Sequence, residues 1–525
     1  MYQYYQENIL LDDQLIFDKS IPIAGVNDAM PPAEIDQSLA RLALDRLSNR
    51  DGLNRPRPGL IYRAQSSDAS NSWDWSLHMQ QGVYLCVSGG TWYEWDSRNK
   101  ILTKLVGGPA YPAGALISGA MCTDTVYMCA GGAMSKYRPS MISTPGFGTV
   151  STLPTQYPNA AYIVWGAGPR LCYVPPNSNV VVCSNILDPE TYDPTLQNII
   201  TLDPVSSDVI TGLAIWQDQS LIVFRNGAAC QIGSGIQTPI VDWPFNWISR
   251  QVGALNYWTV QQAGLDVYFL SETGRGIYSV SQLPSSDQLG IQAPLSLPIT
   301  TTIKRINWTV ARSTARAMVW SDLYLLAVPL DNATANNWIL VYSIALGAWQ
   351  GIWEIEAAPK TFSKDPTNPL RTNLLVGMAN GVLAEWSYPQ QLQYYDLELD
   401  GLTQRVYSSS LTTRSFIFGE EFNMVEPYNA KFTFLESEDD VTITPIVDRE
   451  DSGQTTVTTT GPPQTNLTIP ALPFDLSGIG YVIQPIALQR LGLCNELQFR
   501  FDGTGNWTLA KILCSAFSVR AAANK

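Results

Sequence analysis

The chain has 525 residues, of which 15% are charged and 10% are aromatic, with 32 Lys and Arg against 46 Asp and Glu. A formal net charge of −14 without a basic cluster argues against a protein that binds nucleic acid by neutralising its phosphates. The length predicts two or three domains with large cores.

The N-terminal sequence MYQYYQENILLDDQ contains early acidic residues and lacks the apolar core of a signal peptide. No apolar run approaches the roughly 18 residues that a membrane span needs. The eight cysteines include no CxxC pair and fall mostly in strand-like apolar runs, as buried reduced thiols do. We therefore expect synthesis in a reducing host cytoplasm and no membrane-spanning segment. Cys172 and Cys183 are expected on neighbouring strands, so a disulfide between them is an open alternative.

Residues 1–60 are predicted to form a non-repeating N-terminal arm that serves as a docking segment. Four apolar residues recur there near helical spacing, namely Ile35, Leu39, Leu42 and Leu47. This pattern predicts a single amphipathic helix across about 33–48. The sequence NRPRPGL at 54–60 follows, and its two prolines and final glycine are interpreted as a hinge.

A paired-strand unit then recurs about seven times between residues 82 and 386. Each unit has a β-branched or aromatic run, a Gly- or Asn-type turn, and a second run that ends near Tyr or Trp. Examples are GVYLCVSGGTWYEWD at 82–96, DTVYMCAGGAMSKY at 124–137, QSLIVFRNGAACQIG at 219–233, DVYFLSETGRGIYSV at 266–280 and LLVGMANGVLAEW at 374–386. The spacing of roughly 40–55 residues is typical of four-stranded propeller blades. We predict an all-β protein with a β-propeller of six or seven blades over residues 61–390.

The spacing of the predicted strands changes after about residue 390. Six strands at sandwich spacing are predicted, at Phe432–Phe434, Val441–Pro445, Thr455–Thr460, Tyr481–Ile486, Glu496–Phe501 and Lys511–Phe517. We therefore predict a separate C-terminal β-sandwich or platform domain over residues 391–525.

His78 is the single histidine of the chain, which excludes His-rich metal sites and most Ser-His-Asp arrangements unless His78 itself is the base. We predict a structural role for it. Gly166-Ala167-Gly168 lacks the third glycine of a dinucleotide-binding motif and precedes a strand, so a tight turn is the favoured interpretation.

Two groups of acidic residues could belong to a calcium site or to a glycosidase site. The loop DPETYDP at 188–194 carries three carboxylates that suit calcium, although two Asp-Pro turns are the favoured interpretation. A propeller glycosidase would need two carboxyl groups facing one pocket, for which the candidates are Glu94, Asp96, Glu272 and Glu385. Scattered solvated acids are the favoured account of these four. We predict no catalytic, cofactor-binding or metal-binding residue, no cofactor and no enzymatic activity.

Several weak motifs occur in a particular order along residues 50–430. They are the Arg57-Pro58-Gly59 turn, the VYLCVSGGTWYEWD hairpin, the Arg170-Leu171 strand, SNILDP at 184–189 with Tyr192 behind it, LIVFRNG at 221–227, Gln251-Val252-Gly253 before DVYFLSETGRGIYSV, Trp338–Tyr342 and Trp349. In this order the chain resembles the tail nozzle proteins of short-tailed bacteriophages, also called tail tubular B or packaged-DNA stabilisation proteins. Relatives in that family usually have six blades.

The resemblance implies a non-catalytic structural protein of the virion tail. It implies a homohexameric ring below the portal and its adaptor that closes the tail tube, retains packaged DNA and serves as the conduit for genome ejection. The implied partners are other copies of the chain, the adaptor or head-to-tail connector, tail fibres or spikes, and double-stranded DNA that passes without specific binding. We expect acidic groups to face the lumen, because they would repel DNA and keep it moving.

Two alternatives stay open. A glycan- or receptor-binding propeller would show aromatic-lined pockets repeated from blade to blade. A propeller glycosidase would lose hydrolysis when Glu272 or Glu385 is changed to Gln.

Overall fold

The structure is a computed structural model of the chain. It describes residues 9–20, 24–48, 54–67, 72–79, 82–139, 146–192, 198–202, 208–217, 219–233, 240–283, 288–364, 373–386, 394–417, 425–437, 441–447, 467–469, 482–488, 494–505 and 507–521. In these ranges the regular structure is almost entirely β-strand, and no helix is both long enough and apolar enough to cross a membrane.

Five sheets of four antiparallel strands follow one another along the chain as blades one to five. Their strands, from the inner to the outer edge, are Trp73–His78, Val83–Ser88, Thr91–Asp96 and Ile101–Lys104; Ser118–Cys122, Thr125–Cys129, Ser135–Arg138 and Gly146–Thr149; Tyr162–Gly166, Arg170–Val174, Val180–Cys183 and Ile199–Thr201; Ile210–Trp216, Ser220–Arg225, Ala229–Ile232 and Phe245–Ser249; and Gln261–Ala263, Asp266–Ser271, Gly276–Gln282 and Leu289–Ile291.

Blades six and seven are built into larger sheets. Blade six consists of Arg316–Trp320, Leu323–Val328, Trp338–Ser343 and Ala348–Trp353, and blade seven of Pro359–Lys364, Leu374–Met378, Val382–Trp386 and Leu60–Gln65. The outer strand of blade seven thus comes from the N-terminal part of the chain. Each inner strand contacts the inner strand of the next blade, and that of blade seven contacts that of blade one. The seven blades therefore form a closed β-propeller.

The hairpins predicted from the sequence are confirmed. Each of the five quoted units contains two adjacent strands of one blade. Six or seven blades were predicted, and the described residues form seven. The reason is local: alternating side chains on these strands pack against both neighbouring blades. Glycine supplies the positive φ in three of the five turns, at Gly89 and Gly90, Gly131 and Gly381, whereas Arg275 adopts it in the unit at 266–280. Short helices are confined to connections, at Thr300–Lys304 and Trp308–Thr314, with 3₁₀ turns at Ile240–Asp242, Tyr257–Thr259 and Leu297–Ile299.

Strands from both ends of the chain form two further sheets, called here the two-sheet unit. One continues from blade six through Leu39–Leu44, Ser408–Thr413, Leu497–Thr504, Val441–Val447 and Leu467–Ile469, with Gly25–Val26 beside Leu39–Leu44. The other contains Arg46–Ser48, Asn54–Pro56, Trp507–Ala521, Val425–Ser437 and Val482–Ala487, with Ile9–Ser20 beside Trp507–Ala521. A core that includes Phe432, Phe501 and Ile512 lies between them.

The predicted helix across 33–48 is wrong, because Leu39–Leu44 and Arg46–Ser48 are strands. The buried residues of Leu39–Leu44 are Ala40 and Ala43, the three leucines are half-buried, and a register shift lies between Ala40 and Leu42. The antiparallel partner Ser408–Thr413 decides between helix and strand. Asp45 adopts a positive φ of 52° and separates the two strands. The local spacing of apolar residues was compatible with a helix. Pairing with a strand more than 360 residues away favours the extended conformation instead.

Five of the six strands predicted after residue 390 coincide with strands of the two-sheet unit, and Thr455–Thr460 lies outside the described residues. The boundaries at 60 and 390 stay predictions. One sheet runs from blade six into the two-sheet unit, and the N-terminal strands share that unit with the C-terminal ones. A small additional hairpin, Asp396–Leu397 with Gln404–Arg405, extends blade seven beyond Leu60–Gln65.

A buried ion cluster, called here the Arg57 cluster, holds these parts together. The Arg57 guanidinium donates to both carboxylate oxygens of Asp396 at 3.0 Å and to Asp45 at 2.8 Å. Asp396 also accepts the backbone N–H of Leu60, at the start of the closing strand. The Tyr407 hydroxyl donates to the Arg57 carbonyl, and its ring lies 3.8 Å from the guanidinium. The segment interpreted as a hinge is therefore fixed in place.

The Arg57 cluster predicts an unusual pH dependence. Burial raises the pKa of Asp45 to about 6, although Arg57 opposes the rise. Because the folded-state pKa lies above the unfolded value of 3.8, the folded chain binds the extra proton, and the Asp45 contribution to stability is lost as the pH rises from about 4 to 6. We expect Asp45→Asn to gain stability relative to the wild type over this range, by up to about 1.4 kcal/mol per pH unit.

Urea unfolding of both proteins at several pH values measures this difference. Asp331→Asn is the matched control, since Asp331 also has positive φ but lies at the surface, where its hydrogen bond with Arg305 lowers its pKa. Its difference from the wild type should change in the opposite direction. A difference for Asp45→Asn that stays constant from pH 4 to 7 would contradict the prediction.

Gly253 marks a close approach between two backbone segments. A Cβ atom at this position would lie closer than 3.0 Å to the carbonyl oxygens of Arg225 and Ala228 and to the Ala228 nitrogen. Because backbone atoms cannot rotate away, we expect Gly253→Ala to lower the free energy of unfolding by about 1–3 kcal/mol. Gly132→Ala is the control, since nothing lies within 4 Å of its Cβ position. Equal stability of the two variants in urea would disprove the close approach.

Candidate functional site

The axial channel of the propeller is where the seven inner strands converge. All seven run in the same direction, so their first residues meet at one end, called here the axial entrance. Three charged residues stand at or next to these starts: Asp74 in blade one, Arg316 in blade six and Lys360 in blade seven. The axial ends of propellers are common sites for ligands, because loops from every blade converge there.

Two aromatic residues of the 3₁₀ turn Tyr257–Thr259 lie across the axial entrance. The Tyr257 hydroxyl donates to the Ile163 carbonyl at 2.7 Å, in blade three. The Trp258 indole N–H donates to the Ile117 carbonyl at 2.9 Å, just before blade two. The Arg316 guanidinium of blade six lies 4.7 Å from the Trp258 ring. Trp258 thus bridges opposite sides of the ring, and the two side chains obstruct the channel.

The turn is anchored by its own N-cap residue. Asn256 is buried, and its side-chain amide donates to three carbonyl groups around the end of helix Trp308–Thr314. Its side-chain oxygen accepts the Thr259 N–H at 3.0 Å, which closes the turn. The Thr259 carbonyl in turn accepts the Tyr324 hydroxyl at 3.0 Å. These contacts fix the aromatic residues, so the obstruction belongs to the folded ring.

The three charged residues influence one another at this end. Burial lowers the pKa of Arg316 to about 10, and Asp74 opposes that change. Burial also lowers the pKa of Lys360, and the Arg316 charge lowers it further. Asp74 accepts backbone N–H groups from Gly89 at 3.1 Å and Gly114 at 3.0 Å. Two cations therefore face one carboxylate that is already hydrogen-bonded, which makes the axial entrance attractive to small anions.

Sequence reasoning missed the axial entrance. A usable signal was present, because Asp74, Arg316 and Lys360 each stand at the first or second position of an inner strand. Charged side chains are rare in buried strands, so their recurrence at equivalent positions of neighbouring blades marks a shared surface.

His78 occupies a structural position, as predicted. Its imidazole is buried, its Nε2 accepts the Gly82 N–H at 3.2 Å, and its ring lies edge-on to Tyr84 at 5.1 Å. It thereby closes the turn between the first two strands of blade one.

The four candidate glycosidase carboxylates do not share a pocket. Glu94 accepts the Tyr137 hydroxyl of blade two at 2.9 Å, and Asp96 accepts the N–H groups of its own turn. Glu272 forms two 2.8 Å contacts with Arg312. Glu385 is buried and contacts Arg63 at 2.7 Å and Lys100 at 3.1 Å. Each carboxylate is used in a local contact, and they lie in blades one, five and seven.

The acidic loop forms a turn in its described part. Asp188 accepts the Glu190 N–H at 3.2 Å. Glu190 reaches across to blade two, where it contacts the Lys136 ammonium at 2.6 Å and the Tyr127 hydroxyl at 2.9 Å. Asp193 lies outside the described residues. Within the described ranges, no group of three or more His, Cys, Asp or Glu side chains is placed to hold a metal ion.

The two cysteines expected on neighbouring strands lie directly opposite each other. Cys172 and Cys183 form a cross-strand pair in blade three, and their Sγ atoms are 2.7 Å apart. Both are free thiols. The expectation of neighbouring strands is confirmed. The Gly166-Ala167-Gly168 sequence is a turn between two strands of the same blade, with positive φ at all three residues.

No protein-family model matches the chain. No curated protein matches it at a significant level. Solved structures with a similar fold include virginiamycin B lyase from Staphylococcus aureus, with 10% identity and a TM-score of 0.42 over 64% of this chain and 99% of that chain. The β-propeller domain of Cps50 (Swd1) from Myceliophteria thermophila has 12% identity and a TM-score of 0.42 over 63% and 99%.

A putative 6-phosphogluconolactonase from Bacteroides uniformis has 12% identity and a TM-score of 0.40 over 56% of this chain and 90% of that chain. Two of these three proteins are named for enzymatic activities and one for its propeller. Likeness at this level provides no argument about activity, and the propeller assignment rests on the sheets themselves.

Proposed function

We propose that this protein is a subunit of the tail nozzle of a short-tailed bacteriophage. Six copies would form a ring below the portal and adaptor that closes the tail tube, retains packaged DNA and later conducts it during ejection. The proposal needs no catalytic step. It rests on the order of the sequence motifs, and features of the fold support it.

The observation that carries the proposal is the continuous sheet that joins blade six to the two-sheet unit. Hydrogen-bonded strands run from Arg316–Trp320 at the channel axis to Leu467–Ile469 at the far edge. The Arg57 cluster ties the closing strand of blade seven to the same region. These contacts link the propeller to the two-sheet unit, which suits a subunit of a ring that must bear the pressure of a packaged genome.

The obstructed axis of the propeller supports a DNA path outside the propeller channel. Tyr257 and Trp258 lie across the channel, and a duplex is far wider than a channel spanned by one indole. DNA would therefore pass between copies, along a lumen that several subunits form together. A closed ring with heterologous contacts produces such a lumen.

The charge of the chain fits a conduit. Each copy would bring a formal charge of −14, and screening over about 8 Å restricts its effect to groups that line the wall. Acidic wall groups would repel the phosphates and prevent the strong contacts that would stall a moving genome.

Two features differ from what the resemblance implied. The described residues form seven blades instead of the usual six. Strand Ile9–Ser20 pairs with Trp507–Ala521, so part of the N-terminal segment is built into the two-sheet unit. A docking surface for the adaptor would therefore combine residues 1–60 with this unit.

Absolute quantification of the protein in purified virions by mass spectrometry tests the proposal. The portal protein serves as the internal reference. We expect about six copies for every twelve portal subunits, as a single ring requires. Absence from the particles, or a ratio that fits no single ring, would overturn the nozzle assignment.

A further inference from the structure

A cleft opens between blades four and five on the face opposite the axial entrance. It has a volume of about 350 Å³, within the range of about 300–1,000 Å³ that is typical of small-molecule sites. Seven residues line it, namely Trp216, Gln217, Gln231, Gly233, Pro244, Asn246 and Gln282. They come from strand ends of two blades, so the propeller fold fixes their relative positions.

The lining is about equally polar and apolar and contains no charged side chain. Four of the seven residues carry a primary amide, which both donates and accepts hydrogen bonds. Trp216 and Gln231 are among the lining side chains that other parts of the fold hold in place. The Trp216 indole N–H donates to the Leu265 carbonyl at 2.9 Å, and the Gln231 amide donates to the Ser220 hydroxyl at 3.0 Å. The cleft therefore presents an oriented Gln231 amide and three further amides, together with an indole and a proline ring.

We propose that this cleft binds a neutral hexopyranose, either free or as the terminal residue of a glycan. A pyranose carries hydroxyl groups around its whole perimeter, and amides from both blades can donate to and accept from them. Its apolar C–H face matches the ring surfaces of Trp216 and Pro244. A charged ligand would lose hydration here without an opposite charge to compensate, so the lining selects a neutral one.

This inference does not depend on the nozzle proposal. It rests on the cleft alone, and it would hold for a propeller of any function. On a virion tail, such a cleft would give the particle a weak contact with surface sugars, repeated once per copy around a ring. Weak sites that act together can bind strongly through multivalency.

Titration of the full chain with methyl glycosides tests the inference. Glucose, galactose, mannose and N-acetylglucosamine derivatives are used separately, with saturation-transfer NMR as the readout. We expect at least one of them to bind with a Kd of about 1–10 mM, which is usual for a single sugar in an open site. Asn246→Ala and Gln282→Ala, which remove amides from blades four and five, should each weaken that binding about ten-fold.

Gln251→Ala is the matched control, because this exposed amide follows the outer strand of blade four but lies outside the cleft. It should leave sugar binding unchanged. An unaltered melting temperature shows that each variant is folded. The inference is overturned if none of the four glycosides binds, if binding survives both cleft variants, or if adenosine binds at these residues in place of every sugar.

Discussion

Replacing Arg57 by methionine is expected to lower the free energy of unfolding by about 3–5 kcal/mol, the cost of breaking a buried ion pair from one side. Burial alone would lower the pKa of Arg57, but Asp396 and Asp45 raise it above its usual range, so the guanidinium stays charged. Its removal leaves two buried carboxylates without their cation. Urea unfolding followed by tryptophan fluorescence measures the loss.

Arg305→Met is the matched control for this change. Arg305 also forms a two-contact pair with a carboxylate, Asp331, but both side chains are largely solvent-exposed. Exposed pairs contribute about 0–1 kcal/mol, so this variant should be close to the wild type. If the two arginine variants lose equal stability, the Arg57 cluster is not the link between the closing strand and the two-sheet unit.

Replacing Trp386 by alanine is also expected to cost about 3–5 kcal/mol, the range for removing a large buried aromatic side chain. Trp386 is fully buried in the third strand of blade seven, between Trp320 at 6.0 Å and Trp353 at 5.5 Å. Because it packs against blade six and beside the closing strand Leu60–Gln65, its loss weakens the point where the ring closes.

Two further variants test whether packing is the cause. Trp386→Phe keeps an aromatic ring in the cluster and should lose clearly less than Trp386→Ala. Trp247→Ala removes a partly exposed tryptophan that packs on the edge of the core of blades three and four, beside Phe245 and Arg250, and we expect a cost of about 1 kcal/mol. A cost for Trp386→Ala no greater than that for Trp247→Ala would show that the ring closure does not depend on this cluster.

The axial entrance and the cleft place two different chemistries on opposite faces of one propeller. Arg316 and Lys360 make the first attractive to anions, whereas the amides around Trp216 suit a neutral ligand. Neither surface brings a pair of carboxylates together as glycoside cleavage requires. The candidate carboxylates Glu272 and Glu385 are each paired with a cation, Arg312 and Arg63 respectively.

The role of His78 could be predicted from the sequence, whereas the cleft could not. The structural role of His78 was predicted because it is the single histidine of the chain and stands in a strand-like stretch rich in aromatic residues. The cleft could not be predicted from the sequence, because Gln217, Gln231 and Gln282 are far apart in the chain and no sequence pattern links them. The sheet of blade four brings Gln217 and Gln231 to one surface, and the packing of blade five adds Gln282.

The hairpins of the blades could be predicted from the sequence, because strand alternation and turn residues act over fewer than about fifteen residues. The tertiary structure decided whatever depended on distant partners. It turned the predicted helix across 33–48 into two strands, since Ser408–Thr413 offers Leu39–Leu44 an antiparallel neighbour. It also assigned Leu60–Gln65 to blade seven and buried Arg57 between two aspartates. Long-range pairing and desolvation leave no local pattern, and so only the folded chain reveals them.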